Sequence, residues 1–136
     1  MRVRARLFVF AGILFLAGCA GPTFVVQQYT GAVRPRETVA TLRVNGSDSV
    51  RLLTLDDEDL GVPIEHDSRL HIELLPGRHR LTVGNANAPQ DHAEPIAFEA
   101  EAGKVYRVTV GASAPARIYE VDRDNDTPAR DAPLAR

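Results

Sequence analysis

Few residues in this chain carry reactive side chains. Histidine occurs at 66, 71, 79 and 92, cysteine only at Cys19, and carboxylates concentrate at Asp56-Asp57-Glu58-Asp59. A hydrolase needs a nucleophile, a base and an orienting acid held together. Ser47, Ser49 and Ser68 stand in turn-like contexts with no strand–turn–helix elbow around them, so they read as solvated loop serines beside His66-Asp67 and His92. A metal site has better material. If Arg69–Leu75 is a strand, His71 and Glu73 project from one face, and His79 lies across the hairpin that follows. Two imidazoles and a carboxylate suit zinc or copper. The same three residues equally suit a polar outer sheet face with paired charges. Calcium fits poorly, because Gly61 and Glu65 do not keep the alternating register that an acidic calcium loop demands.

The elements that must hold these residues are strands. Thr38–Val44 alternates, with Ala40, Leu42 and Val44 on one side and Thr41 and Arg43 on the other. Asn45-Gly46 is a strong turn signal, and Val50–Leu55 follows as a strand apolar enough for cover on both faces. The acidic run and Leu60-Gly61-Val62-Pro63 read as a loop. Arg69–Leu75 places Leu70, Ile72 and Leu74 on one face, Pro76-Gly77 turns the chain, and His79–Val83 returns with Leu81 and Val83 inward. Residues 84–94 form a polar loop, long enough to serve as a recognition surface. Ile96, Phe98 and Ala100 then alternate, Glu101-Ala102-Gly103-Lys104 turns, Val105–Val110 returns, and Ile118–Val121 is a last strand. Strands with turns at short spacing and no sustained helical period predict an all-β domain, a small antiparallel β-sandwich. Its core is expected to hold Leu42, Ile72, Leu74, Leu81, Phe98 and Val108.

The first residues have a different character. Arg2, Arg4 and Arg6 precede the apolar run 7–16, which is shorter than the roughly 20 residues that span a bilayer. A basic start, a short apolar run and small residues are the layout of a secretory signal peptide. Leu16-Ala17-Gly18-Cys19 resembles the lipobox of bacterial lipoproteins. That resemblance implies cleavage before Cys19, a diacylglycerol on its sulfur and usually an acylated amine. The cysteine count agrees, since a lone Cys cannot form an internal disulfide. Acyl chains at about 0.8 kcal/mol per buried methylene would hold the chain firmly on a membrane. Ala20 stands where an inner-membrane retention signal would place Asp, so the implied destination is the periplasmic face of the outer membrane.

Removal of residues 1–18 from the 136-residue chain leaves 118, enough for one small domain. Three of the 16 basic residues leave with the leader, so 13 remain against 18 acidic ones and the net charge becomes −5. Such a balance offers no footprint for nucleic acid. The expected organisation is a signal peptide over 1–18, a lipidated tether over 19–36, a β-sandwich over 37–121 and a disordered tail over 122–136. Phe24-Val25-Val26 is short and apolar enough to pair as an edge strand.

Tyr29-Thr30-Gly31 with Arg34–Ala40, Leu74-Leu75-Pro76-Gly77-Arg78-His79 and Glu101–Tyr106 resemble a group of small, uncharacterised proteobacterial lipoproteins. The two glycine-centred turns are also similar to those of PEGA-type and transthyretin-like surface domains. The resemblance covers most of residues 29–110 and implies a fold, with no activity, cofactor or catalytic residue attached. Together these readings lead to the expectation of a non-catalytic, lipid-anchored envelope module without a cofactor, meeting the membrane through its lipid and an envelope protein through its surface. The alternative is a periplasmic lipoprotein binding metal through His71, Glu73 and His79, or a small ligand.

Overall fold

Alternation decides which way each strand faces, and the strands assemble accordingly. A computed structural model describes residues 21–60, 64, 68–89, 93–111, 115–125 and 128–131. Among the described residues nine strands occur in order: β1 (Thr23–Gln27), β2 (Ala40–Asn45), β3 (Val50–Leu55), β4 (Arg69–Leu74), β5 (Gly77–Asn85), β6 (Glu94–Ala100), β7 (Val105–Thr109), β8 (Arg117–Val121) and β9 (Pro128–Asp131). They form a six-stranded sheet in the order β1-β4-β2-β7-β8-β9 and a three-stranded sheet in the order β3-β5-β6. The inward faces of both sheets share one core. Leu42, Ile72, Leu74, Leu81, Phe98 and Val108 are all fully buried in it, as their alternation predicts. Burying side chains of this size contributes roughly 1.5–3 kcal/mol each. Tyr106 lies at the centre, edge-on to Phe98 with ring centroids 5.4 Å apart, and its hydroxyl accepts a hydrogen bond from the Glu101 N–H at 3.0 Å. The aromatic ring thus fills the core while its polar tip is satisfied.

Each expected hairpin turn carries the chain to the other sheet. Asn45-Gly46 leads from β2 in the larger sheet to β3 in the smaller one, through a 3-10 turn over Gly46–Asp48 and a left-handed Ser49 (φ 54°). Leu75-Pro76 leads from β4 to β5, and Gly77 follows at φ +134°. Glu101–Lys104 leads from β6 back to β7, with Gly103 at φ +75° and its N–H donating to the Val39 carbonyl at 2.9 Å. These are corners over the rim of the core. Turn residues encode a local change of direction, and the strand that follows then takes whichever partner buries its apolar side. β4 pairs with β2 and β1, and β5 pairs with β3 and β6, so the expected β4–β5 hairpin does not exist.

The hairpins within a sheet run instead through the longer connections β5–β6, β7–β8 and β8–β9. Crossing between sheets also places two pairs side by side in parallel, β1 with β4 and β2 with β7, where a wholly antiparallel arrangement was expected. Parallel neighbours need a long crossover, and here that crossover is the excursion through the other sheet. β3 is an edge strand with half-buried Arg51, Leu52 and Thr54, not a strand covered on both faces. A register shift between Leu52 and Thr54 lets Val50 and Leu55 both reach the core.

Phe24-Val25-Val26 lies in the edge strand β1: Thr23 pairs with Arg69, and the Arg69 N–H donates to the Pro22 carbonyl at 2.9 Å. Within 122–136, where no regular structure was expected, Pro128–Asp131 pairs with β8 (Tyr119 opposite Asp131). No core residue precedes Val26 among the described residues.

Candidate functional site

The three residues expected to form a metal site are separated by the corner at Pro76-Gly77. His71 and Glu73 are half-buried on the outer face of the six-stranded sheet, where His71 stands between Val25 and Arg43 in the cross-strand row. His79 belongs to the other sheet and points inward. It shares the parity of Leu81 and Val83, a signal present in the sequence that the assumed hairpin obscured. Among the described residues no group of three or more His, Cys, Asp or Glu is placed to hold a metal ion.

His79 closes the rim of the core. Its ring lies against Phe98 with centroids 6.1 Å apart and its side chain is 12% exposed. Nδ1 meets the Asp56 Oδ2 at 2.6 Å and Nε2 meets the Leu75 carbonyl at 2.8 Å. Both partners are acceptors, so both contacts are hydrogen bonds only when each ring nitrogen carries a hydrogen. Asp56 is held in turn. Its Oδ1 accepts the Arg80 N–H at 2.8 Å, and its own N–H donates to the Arg80 carbonyl at 2.7 Å. Asp56 and Asp57, at φ 51° and 68°, make a two-residue reversal between Leu55 and Glu58, and Asp57 pairs with the Arg80 guanidinium. The start of the acidic run is therefore a tied turn, and the imidazole beside it has no nitrogen pointing at a cleft.

Glu73 is similarly occupied, its Oε2 accepting from the Tyr29 hydroxyl at 2.9 Å, with the Arg34 guanidinium 5.4 Å over the Tyr29 ring. Desolvation first, then the bond to the Glu73 carboxylate, raises the Tyr29 pKa above its ordinary value. Ser49 Oγ accepts from Asn87 Nδ2 at 3.3 Å, and Ser68 is buried. His66, Asp67, His92 and the whole of Leu16-Ala17-Gly18-Cys19 lie outside the described residues.

Two open surfaces lie among the described residues. The loop expected over 84–94 is shorter, since β5 reaches Asn85 and β6 begins at Glu94. Its described part is pinned: Asn85 Oδ1 accepts the Asn87 N–H at 2.8 Å, the Ala86 N–H donates to the Ser49 carbonyl at 2.8 Å, and Arg51 reaches the Ala86 carbonyl at 2.9 Å. A shallow cleft of about 290 Å³ lies there between Ser49, Asn85, Asn87, Ala88 and Val110.

The second surface was not anticipated. A groove of about 380 Å³ on the outer face of the six-stranded sheet is lined by Arg43, Asn45, Arg69, His71, Arg123, Asp124 and Asn125. β2 and β4 supply the first four through their outward positions. The β8–β9 turn supplies the rest, shaped by Asp122 Oδ1 accepting the Asp124 N–H at 2.9 Å. A cluster drawn from two strands and a distant turn has no signature in the linear sequence. Comparison of the chain with known protein families, with curated proteins and with solved structures finds no match.

Proposed function

We propose that this chain is a lipid-anchored envelope protein whose β-sandwich works as a non-catalytic, protein-contacting module. In this reading the leader is removed, Cys19 carries the lipid, and the domain sits at the periplasmic face of the outer membrane. It joins the small lipoprotein group that its turn motifs resemble. The observation that carries the proposal is the position of Thr23. It enters the sheet four residues after Cys19, a stretch that spans at most about 14 Å fully extended. A domain held so closely is a surface-mounted module, not one swinging on a long leash.

That attachment would orient the molecule. Thr23, Asn45, Arg69 and the 86–89 turn lie toward one end of the strands, as the pairing of Thr23 and Asn45 with Arg69 and of Val50 with Asn85 requires. The Arg36–Thr38 turn, the Asp56–Glu58 reversal and the Glu101–Lys104 corner lie at the opposite end. This distal tip exposes Glu37, Asp57, Glu58 and Glu101 together with Arg36, Arg78 and Arg80, a mixed charge pattern that suits a polar protein partner. The engagement of His79, Asp56 and Glu73 in bonds that stabilise the fold supports a module without catalysis.

Two measurements on the native protein test this. Intact mass should show a chain beginning at Cys19 and carrying acyl groups; an unmodified Cys19 or a retained leader would refute the anchor. Photocrosslinkers placed in cells at Glu58 and Glu101 should capture a defined envelope protein, while one at Ala86 should not. Capture from Ala86 alone would overturn the orientation.

A further inference from the structure

We propose that the groove on the outer face of the six-stranded sheet takes the phosphate of an anionic lipid headgroup, so that this face leans onto the bilayer. The inference rests on the anchored reading above and adds the ligand chemistry of a second contact. Arg69, at the mouth of the groove, pairs directly with Thr23, the first sheet residue after Cys19. Any bilayer holding that cysteine therefore lies within reach of the groove.

The charge points the same way. Among the described residues, Arg43, Arg69, His71 and Arg123 line the groove together with the carboxylate of Asp124, in a chain that is acidic once the leader is gone. Arg107, the next member of the His71–Arg43 row, differs. Asp48 holds it through a two-bond fork at 2.9 and 2.7 Å, which commits it to the fold. Arg43 donates to the Arg123 carbonyl at 2.8 Å and Arg123 to the Gly103 carbonyl. These acceptors position the side chains, and guanidinium groups present the paired donors that phosphate oxygens accept.

An apolar element completes the surface. Val25, 66% exposed, stands beside His71 on the same face. Basic side chains next to exposed apolar ones are the composition of an interfacial membrane contact.

The test uses the mature chain from residue 19 with Cys19→Ser, so that binding does not depend on the lipid. The core draws on nothing before Val26 among the described residues, so this chain retains it. Co-sedimentation is measured with phosphatidylcholine vesicles and with vesicles in which phosphatidylglycerol replaces part of that lipid. Binding is expected to the anionic vesicles only. Arg69→Glu with Arg123→Glu should weaken it at least roughly tenfold, as two lost attractions near an anionic surface imply. Arg36→Glu with Arg78→Glu, on other surfaces, should change it by less than about threefold. Should the first pair fail to fold, Arg69→Gln with Arg123→Gln takes its place. Equal binding to both vesicles, or equal loss in both pairs of variants, overturns the proposal. Binding of inorganic phosphate without binding to anionic vesicles would assign the groove to a free phosphate and overturn the lipid source. Failure of the anchor itself is read separately, from the mass of the native protein.

Discussion

The connections at 45–49, 75–76 and 101–104 carry the chain from one sheet to the other, whereas those at 86–93 and 110–116 return it to the same sheet. The corners are short and run between strands anchored by buried residues: Val44 and Val50, Leu74 and Leu81, Ala100 and Val105. The chain must change direction there within a few residues without lifting apolar side chains out of the core. Left-handed backbone at Ser49, Gly77 and Gly103 achieves this. The described part of 86–93 is held by polar bonds at residues 86–88, while Val110 and Ala116 at the ends of the other connection pack against the core. Turn chemistry is thus locally similar in both, but the corners make their reversal over fewer residues.

The sharpest way to break this contrast is at Gly77. A Cβ there would meet nothing within 4 Å, so the Cβ of Gly77→Val costs through φ +134° and not through crowding of that atom. We expect a loss of about 2–3 kcal/mol, read from urea unfolding. A neutral substitution would mean that this corner is not constrained. Next is Asp56→Ala, which strips the acceptor from His79 Nδ1 and from the Arg80 N–H. A loss of about 2 kcal/mol is expected. Adding His79→Phe should cost less than the sum of the two single changes, and strict additivity would deny the coupling.

On the loop side, Asn87→Ala removes one exposed polar bond, from Nδ2 to the Ser49 hydroxyl, and should stay within about 0.5 kcal/mol of the parent. A cost comparable to that of Gly77→Val would erase the distinction. The smallest effect concerns the connection from β1 to β2, fastened by Tyr29 to Glu73. A folded-state pKa raised above the unfolded one gives a contribution present below the unfolded value and lost as pH rises through the folded one. Tyr29 therefore favours folding at neutral pH and ceases to do so only in the alkaline range above its ordinary titration. Glu73→Gln should lower the Tyr29 midpoint, followed by ring-carbon chemical shift, while desolvation keeps it above that of a free tyrosine. An unchanged midpoint would show that the carboxylate plays no part.

Particular residues show how far sequence reasoning reached. Leu42, Ile72, Leu81 and Phe98 were readable as core because alternation is a property of neighbours in the chain. His79 was readable too, by its parity with Leu81, once the turn before it is not assumed to close a hairpin. Pro128–Asp131 was not, since Pro-Ala-Arg-Asp carries no alternation and becomes a strand only against the free edge of β8. The groove around Arg43 and Arg123 was equally hidden, for it joins residues 80 positions apart.

By itself, then, the sequence determined that the regular structure is nearly all strand, where most strands lie and which side chains face the core. It also raised the expectation of a cleaved leader ending at Cys19. Only the tertiary structure decided which strands are partners, that the tight turns are corners, that β1 and β9 complete the larger sheet, and that basic residues from separate elements share one groove. The physical reason is range. Side-chain direction follows from pleating over two residues, whereas strand partnership is decided by which long-range pairing buries the most apolar surface at once.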